Sequence, residues 1–500
     1  MTAMIAVEPG ALVAFFNRPT TTALVIAISA GVVGWAWHLW SAWSTRPDHE
    51  PPTGDQRPPP IEDRTEPPAV VALLTNGYDA PNTAVTATAL DLAARGWIRL
   101  TTVDGELAVV TRGNAGAGDS LLPFEQQVLN HIASRAFNDV ISAGTLAISQ
   151  HRLDRRWWLR FRRAVAAHAA GMGLSVRRYT PIEIAPAAAL CAIGLVTWWT
   201  AGRGGDEVAI ADSWQSRTVW VLTFGVLAGL GWVTGLRAFG SAQRPTDLGR
   251  GRTSAWMGYR SRLRDRIPAH ANVLAPPPQQ LALAHACVMG VATHVLDQLP
   301  VAPEDHRVAW SEAGGTPHVV RVHYPVRPGY GQHPIKIGLA GLVVVLVARW
   351  LQGYLRDVGD GEALTSLLDR IPGQVDLVTT IADVLAVACW LPIAWGAWAV
   401  VAGAVDSVAT RERIGAVVRA RRPGEVLPPV LATVVKPFAE RDRFSTYLAV
   451  DDGRRAWVSA WLASERSAAP QGAQARVRAT PLLGYVRSSE PVGTATRTEG

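Results

Sequence analysis

The chain has 500 residues, of which 48% are hydrophobic, and it carries a formal net charge of +7. Its length exceeds what one hydrophobic core organises, so we expect membrane spans that alternate with folded modules. The three cysteines lack metal-ligand spacing, which argues against a disulfide or a zinc site. The arginine excess is typical of the cytosolic side of a multi-span membrane protein and is not by itself evidence for nucleic-acid binding.

The first element is an apolar run at 22–43, preceded by a segment at 1–20 that is almost free of charge. The run is long enough to cross a bilayer, and tryptophans crowd its C-terminal end as at a membrane interface. We interpret it as a retained transmembrane helix with residues 1–20 outside the cell, and a cleaved signal peptide is the alternative. Residues 44–68 are proline-rich and predict an extended linker.

Residues 69–180 form a first predicted cytosolic region. A helix from Asn82 to Arg95 is followed by Gly96 and by the segment WIRLTTVDGELAVV, which predicts a hairpin. Helix, glycine and hairpin in this order are typical of a winged-helix module. Arg95 is the only basic residue of that helix. We therefore expect the helix to pack in the core or to contact another protein rather than to bind nucleic acid.

Two further apolar runs, at 182–200 and 219–236, predict a hairpin of transmembrane helices. The joining loop contains acidic residues whereas both outer flanks are rich in arginine, so we expect the loop outside and the flanks in the cytosol. Four glycines of the second helix form two GxxxG spacings: Gly225, Gly229, Gly231 and Gly235. This spacing allows close helix approach, and we expect packing within the chain, with a homo-oligomer as the alternative.

A second cytosolic region is predicted at 240–334, with helices near Trp256 to Arg266 and Gln279 to Leu299 and a strand from His318 to Tyr324. We expect this region to pack against the first cytosolic region. A fourth span at 337–354 and a fifth at 377–402 enclose an acidic loop, so the C-terminus is expected in the cytosol.

The C-terminal region, 411–488, offers several short alternating segments bounded by turn residues. They are 417–420, 431–435, 445–450, 456–461, 475–480 and 483–487. This pattern predicts a small five- or six-stranded β-barrel of the SH3 or OB kind that folds independently, with Asp452-Gly453 as a hairpin turn. The tail at 489–500 is expected to be disordered.

Three groups of segments carry a family resemblance. They are PPAVVALLTNGYDAPNTAVTATALDLAARGWIRL with LLPFEQQVLNHIA, then the stretch 281–334, then STYLAVDDGRRAWVSAW with PLLGYVRSSEP. The chain resembles the YciQ-like predicted bacterial membrane proteins of the domain-of-unknown-function 2207 family. That resemblance implies a membrane protein with cytosolic modules and brings no biochemical activity with it. Members of the family commonly begin with a signal peptide and an extracytoplasmic β-rich domain, which residues 1–20 do not match.

The segment HRLDRRWWLRFRR is the first candidate site, because arginines and aromatic residues alternate in it. One interpretation is a helix that lies on an anionic membrane surface, and the other is a core stripe with a solvated basic face. The residues concerned are Arg155, Arg156, Trp158, Arg160, Phe161, Arg162 and Arg163.

The second candidate site is a pair of charged residues inside predicted spans, Arg349 and Asp383. Both lie at similar depth below the outer boundary, and charged residues inside a membrane usually find a partner. We predict an ion pair between them, whereas the alternative has Arg349 extending to the interface and Asp383 meeting water or backbone.

No catalytic motif occurs in the chain, and its histidines show no metal-ligand spacing, so we predict no cofactor, no metal and no enzymatic activity. The predicted architecture is a polytopic α-helical membrane protein with five transmembrane helices, a cytosolic α+β winged-helix-like region and a C-terminal small β-barrel. We expect it in the cell (inner or plasma) membrane, in contact with the lipid bilayer, as a scaffold or signalling adaptor for protein partners at the cytosolic face. A transport or channel component and a membrane enzyme of the cell envelope are the alternatives.

Overall fold

The structure of the chain is a computed structural model. It describes residues 19–44, 66–103, 105–111, 120–146, 155–203, 214–239, 242–268, 271–302, 305–360, 385–386, 388–426, 445–464 and 469–492. The chain divides into two compact units. The helical unit comprises 1–46, 178–242 and 338–401, and the mixed unit comprises 47–177, 243–337 and 402–500.

The described helices are numbered in chain order. They are α1 (Pro19–Ser44), α2 (Pro68–Thr75), α3 (Thr83–Ala94), α4 (Pro123–Ala133), α5 (Ala143–Leu146), α6 (Arg155–Gly171), α7 (Pro181–Arg203), α8 (Trp214–Phe239), α9 (Asp247–Arg266), α10 (Pro277–Val288), α11 (Val295–Gln298), α12 (Pro334–Asp360), α13 (Trp390–Val408) and α14 (Pro423–Val426).

The described strands form four sheets. The strands are β1 (Ile98–Val103), β2 (Glu106–Thr111), β3 (Val140–Ser142), β4 (Ser175–Arg177), β5 (Gln243–Pro245), β6 (Val308–Ser311), β7 (His318–His323), β8 (Arg411–Arg421), β9 (Ser445–Asp451), β10 (Trp457–Ser459), β11 (Trp461–Ser464), β12 (Gln474–Ala479) and β13 (Val486–Pro491). Their orders are β1-β2-β3, β10-β7-β6, β11-β9-β8-β12-β13 and β4-β5.

Four helices in the described part of the chain are long and apolar enough to cross a membrane: Thr22–Ser44, Pro181–Thr200, Pro334–Leu355 and Trp390–Val408. They coincide with the first, second and fourth predicted spans and with the latter part of the fifth. The third predicted span, 219–236, lies inside the continuous helix α8, whose side chains are described from Thr223 to Ala238. The start of the fifth predicted span, 377–384, lies outside the described residues.

Small residues let the helices of the helical unit approach closely. A Cβ on Gly231 would lie 3.2 Å from the Cys191 sulfur, and one on Gly229 would lie 3.5 Å from the Trp35 ring. These two glycines therefore pack within the chain, as expected, whereas a Cβ on Gly225 or Gly235 would meet nothing within 4 Å. The alternative of a homo-oligomer through these four glycines stays a prediction.

Helices α12 and α13 touch through a reciprocal glycine contact. A Cβ on Gly341 would lie 2.6 Å from the Gly396 carbonyl oxygen, and a Cβ on Gly396 would lie 2.7 Å from the Gly341 carbonyl oxygen. Any side chain at either position would force the two backbones apart.

The first two segments of the mixed unit share one hydrophobic core. Helix α3 is buried along most of its length, and α10 packs against it, so that residues such as Leu90 and Ala284 belong to the same cluster. The predicted packing of the region 240–334 on the region 69–180 is confirmed for the described residues. The hairpin β1-β2 follows Gly96, which has a φ of 84°, as the turn chemistry predicted.

The single helix predicted from Gln279 to Leu299 is wrong. Helix α10 ends at Val288, Gly290 adopts a φ of 67°, and the short helix α11 begins at Val295. A Cβ on Gly290 would lie 2.1 Å from the Trp310 ring, so the glycine is required both by its backbone and by this contact.

In the described residues, five C-terminal strands form a curled sheet of half-barrel shape, and a parallel bridge between Leu462 and Tyr485 links β11 to the residue before β13. Strand β10 is not part of this sheet and pairs in parallel with β7, with Trp457 opposite Arg321. The predicted strand at 431–435 lies outside the described residues, and β13 continues to Pro491, so the predicted disordered tail begins too early. Ser489 pairs with Val477 and Glu490 with Arg476, which explains the extra strand length.

Residues 411–492 expressed alone are therefore expected not to melt cooperatively, in contrast to the expectation from the sequence. The separated fragment would leave β10 unpaired and would lose the hydrogen bond from the Tyr447 hydroxyl to the Pro325 carbonyl, 2.9 Å long. Thermal melting followed by circular dichroism tests this, with residues 305–333 supplied in trans as the comparison. A sharp transition of the fragment alone would show that the C-terminal sheet is autonomous.

A buried ion pair joins β7 to the end of β9. The Nε2 atom of His318 lies 3.0 Å from Oδ2 of Asp451, whose side chain is fully buried. Burial by itself would raise the pKa of Asp451, but contacts with His318, Ser311 and the Gly453 N–H together lower it. The contact with Asp451 raises the pKa of His318 above 6.5, although burial opposes this.

The mixed unit should accordingly be most stable between about pH 4 and pH 6.5. The His318 contribution is complete below pH 6.5 and is lost as the pH rises through its raised pKa, while the Asp451 contribution is lost as the pH falls below 3.8. Denaturant titrations across pH should show a decline above neutrality that His318→Gln flattens. The exposed His323 on the same strand is the control, and an equal effect of His323→Gln would contradict the assignment.

Candidate functional site

Helix α6 carries the basic-aromatic segment, and its apolar residues point into the protein. Phe161 and Val165 are fully buried, and the Phe161 ring meets the Phe124 ring edge-on at a centroid distance of 6.3 Å. Trp158 is half-buried under the Arg162 guanidinium, which also lies 3.6 Å from Asp79. This supports the core-stripe interpretation for Phe161, since a buried ring cannot insert into lipid.

The outward face of α6 is a stripe of arginine and alanine at helical spacing. Its exposed members are Arg156, Arg160, Arg163, Ala167 and Ala170. Arg155 begins the helix, and its side chain lies outside the described part. The exposed face therefore offers positive charge but no large apolar side chain.

A polar groove lies between α4 and α6. It encloses about 460 Å³ and is lined by Pro123, Gln126, Gln127, Asn130, His131, Ser134, Trp157 and Arg160. The volume is in the range of clefts that bind ligands or peptide side chains. Among the described residues, no acidic side chain lines the groove, and Arg160 places a positive charge beside it.

Two buried contacts hold α4 in place. The Glu125 carboxylate accepts the Leu122 N–H at 2.9 Å and lies 2.8 Å from the Arg95 guanidinium. Burial raises the pKa of Glu125 in spite of these contacts, yet the arginine keeps a compensating charge beside it. The start of α4 is thereby tied to the end of α3.

The floor of the groove is an aromatic stack. The Trp157 ring is parallel to the Phe161 ring at a centroid distance of 5.7 Å and tilted against the His131 ring at 5.1 Å. Burial and the neighbouring Arg135 lower the pKa of His131 to about 4, so its imidazole is neutral at physiological pH. The Gln127 amide donates to the Trp157 carbonyl oxygen at 2.9 Å and fixes the two helices together.

Two amides provide the polar wall. The Gln126 amide donates to Asn130 Oδ1 at 2.7 Å, which leaves their remaining donor and acceptor atoms for a ligand. Three residues beyond Ser134, the turn after α4 carries Phe137, which is 81% exposed. Amides, an aromatic floor and an exposed ring suit a peptide better than a small apolar molecule.

Sequence reasoning found Arg160 but missed Trp157 and the amides of α4. Trp157 and Phe161 stand one helical turn apart, which signals a ring stack, and Gln126 and Asn130 have the same spacing. Neither spacing shows that α4 and α6 face each other across a groove.

The predicted intramembrane ion pair involves Asp383, which lies outside the described residues, so the pair stays a prediction. Arg349 donates to Gln352 Oε1 at 3.0 Å, and the amide of the buried Gln352 donates to the Ala386 carbonyl oxygen at 3.1 Å. Gln352, which sequence analysis did not single out, thus forms a polar link between α12 and the segment before α13.

In the described part of the chain, no group of three or more histidine, cysteine, aspartate or glutamate side chains is arranged to hold a metal ion. Apolar helices of membrane-spanning length and a mixed unit assembled from the intervening segments define a multi-span membrane protein. Residues 59–299 match the family model of the predicted membrane protein (DUF2207) C-terminal domain.

This match confirms the resemblance seen in the first segments and in the start of the stretch 281–334. The later segments, including STYLAVDDGRRAWVSAW, lie beyond it. Neither the curated proteins nor the solved structures contain a match to this chain.

Proposed function

We propose that this is a five-span protein of the cell membrane whose mixed unit, winged-helix-like in its first part, acts as an adaptor on the cytosolic side. The helix α3, the turn at Gly96 and the three-stranded sheet that follows support the winged-helix description. The extracytoplasmic placement of residues 1–20 and a cytosolic C-terminus follow from the arginine-rich flanks.

A shared core supports the count of five. Segments 66–177 and 243–301 pack into one cluster, and β10 pairs with β7, so all three segments of the mixed unit must lie on the same side of the membrane. An even number of crossings is then required between 177 and 243 and again between 337 and 402. Helix α7 crosses the membrane and α8 brings the chain back, and α12 and α13 do the same. With α1, this makes five membrane crossings.

The observation that carries the adaptor role is the groove between α4 and α6. The remaining donor and acceptor atoms of Gln126 and Asn130 can pair with a peptide backbone, and the aromatic floor can accept a side chain. Arg160, together with the exposed Arg156 and Arg163, favours acidic residues. The proposed partner is therefore an acidic segment of another protein. The basic charge on α6 is proposed to bind this acidic segment rather than nucleic acid. Helix α3, which would enter the DNA groove in a winged-helix protein, carries Arg95 as its only basic residue.

Site-specific photo-crosslinking in cells tests the adaptor role. A photoreactive amino acid at Ser134, at the rim of the groove, should capture a discrete protein, and mass spectrometry should map the bond to an acidic segment. Arg160→Glu should reduce the crosslinked product about tenfold, as expected for reversing a charge at an interface.

The matched control is Arg266→Glu, which reverses another exposed arginine, on α9. It should leave the crosslink unchanged. Equal yields from the Arg160 and Arg266 variants, or a crosslink to lipid alone, would contradict the proposed partner.

A further inference from the structure

A second group of arginines and aromatic residues lies within the helical unit, where α1 ends, α7 begins and α8 ends. Its centre is Tyr179, which stands two residues before the first residue of α7. The guanidinium carbon of Arg178 lies 5.2 Å from the centroid of the Tyr179 ring, and that of Arg237 lies 4.9 Å from the same centroid. Two cations thus share one aromatic ring.

Partly buried hydrogen bonds to α1 hold Arg237 in place. Its Nη1 donates to His38 Nδ1 at 2.6 Å, to the His38 carbonyl oxygen at 3.0 Å and to Ser41 Oγ at 3.1 Å. Because His38 Nδ1 accepts, Nε2 carries the proton and donates to Thr234 Oγ1 at 2.8 Å. His38 is only 2% exposed, so this network fixes the arginine before any ligand arrives.

The same contacts leave part of the guanidinium free. All hydrogen bonds of Arg237 to described residues use Nη1, so Nε and Nη2 have no partner among them. Arg178 is fixed by a hydrogen bond from Nη2 to the Ala42 carbonyl oxygen at 3.3 Å, at the end of α1. Both guanidinium groups place positive charge beside the Tyr179 ring, which favours an anion there.

The surroundings indicate which anion. Trp40 and Trp43 on the last turns of α1 are 54% and 68% exposed, and Leu236 on α8 is 48% exposed. Exposed tryptophans are typical of the level of lipid headgroups, and apolar surface next to fixed cations suits a molecule with both a charge and acyl chains. The nearby acid, Glu183, accepts the Thr180 N–H at 2.7 Å at the start of α7.

We propose that Arg178, Tyr179 and Arg237 form a binding site for the phosphate of an anionic phospholipid. The free edge of Arg237 and the Arg178 guanidinium bind the headgroup phosphate, and Trp40, Trp43 and Leu236 contact the acyl chains. Basic pockets between transmembrane helices on the cytosolic side bind lipid headgroups in this way. The site stabilises the junction of three helices, α1, α7 and α8.

The test uses the full chain in neutral detergent, with phosphatidylglycerol, phosphatidylcholine or inorganic phosphate added. Native mass spectrometry should show retained phosphatidylglycerol, and the thermal unfolding temperature should rise with that lipid only. Arg178→Gln should weaken retention about fivefold, the effect of about 1 kcal/mol for a basic residue near the headgroups. Tyr179→Leu should weaken it as well.

Arg178 is the residue to change first, because Arg237→Gln would also remove a partner of the buried His38. The control is Arg349→Gln, an exposed arginine of the helical unit that contacts Gln352, and it should retain the lipid fully. If inorganic phosphate stabilised the protein as much as phosphatidylglycerol does, the site would bind free phosphate, and the proposal of a lipid would be wrong. Equal losses in the Arg178 and Arg349 variants would overturn the site itself.

Discussion

Asp406→Ala is expected to lower the free energy of unfolding of the mixed unit by about 3 kcal/mol, because hydrogen bonds to a charged group contribute about 1.5–3 kcal/mol each. Asp406 is fully buried in the last turn of α13. Its carboxylate accepts the Leu483 N–H at 2.6 Å and the Leu482 N–H at 3.1 and 3.2 Å. Alanine would leave two donors without an acceptor in the loop between β12 and β13.

Denaturant titration of the full chain, followed by limited proteolysis of the C-terminal sheet, measures this loss. Asp406→Asn retains one acceptor and should lose about half as much. The control is Glu490→Gln, an exposed carboxylate on β13, which should change stability by less than about 0.5 kcal/mol. Equal stability of the Asp406 and Glu490 variants would show that the carboxylate does not hold the loop.

Gly341→Leu is expected to separate α12 from α13 and to destabilise the helical unit by about 3 kcal/mol, the upper end of the cost of overpacking. The added side chain would meet the Gly396 carbonyl oxygen and the Ala399 methyl group, at 2.6 and 2.7 Å from its Cβ. Backbone atoms on a facing helix cannot move aside as a flexible side chain can. Gly396→Leu should have the same effect from the other side.

Unfolding in mixed detergent, followed by tryptophan emission, measures the change. Gly353→Ala on the same helix is the matched control, because a Cβ there would meet nothing within 4 Å and alanine favours a helix. It should be neutral or slightly stabilising. A Gly341→Leu protein as stable as the Gly353→Ala protein would show that the two helices do not depend on this contact.

The sequence predicted the elements whose signals are local. The lengths of the apolar runs predicted the four long apolar helices, and Gly96 followed by alternating residues predicted the first hairpin. Helix α10 was placed but was predicted too long, because the apolar pattern continues past Gly290. This glycine, with a φ of 67°, is a local signal for the end of a helix that the prediction did not use.

The non-local pairings could not be read from the sequence. Residues 456–461 have the pattern of a strand, but nothing in that pattern shows that part of it pairs with β7 rather than with its neighbours. In the same way, the spacing of Phe161 and Val165 fits either a lipid surface or a core, and only the Phe124 ring decides between them. Periodicity identifies a face of a helix but not what covers it.

The pairing of β10 with β7 also has a consequence for biosynthesis. Residues 321–323 leave the ribosome long before 457–459, and two helices long and apolar enough to cross a membrane, α12 and α13, are made between them. Until β10 has been synthesised, one edge of β7 stays unpaired, and the hydrophobic cluster that contains Val322 and Tyr447 is incomplete. Translation that stops before 457 should therefore yield a chain that is inserted in the membrane but exposed to quality-control proteases.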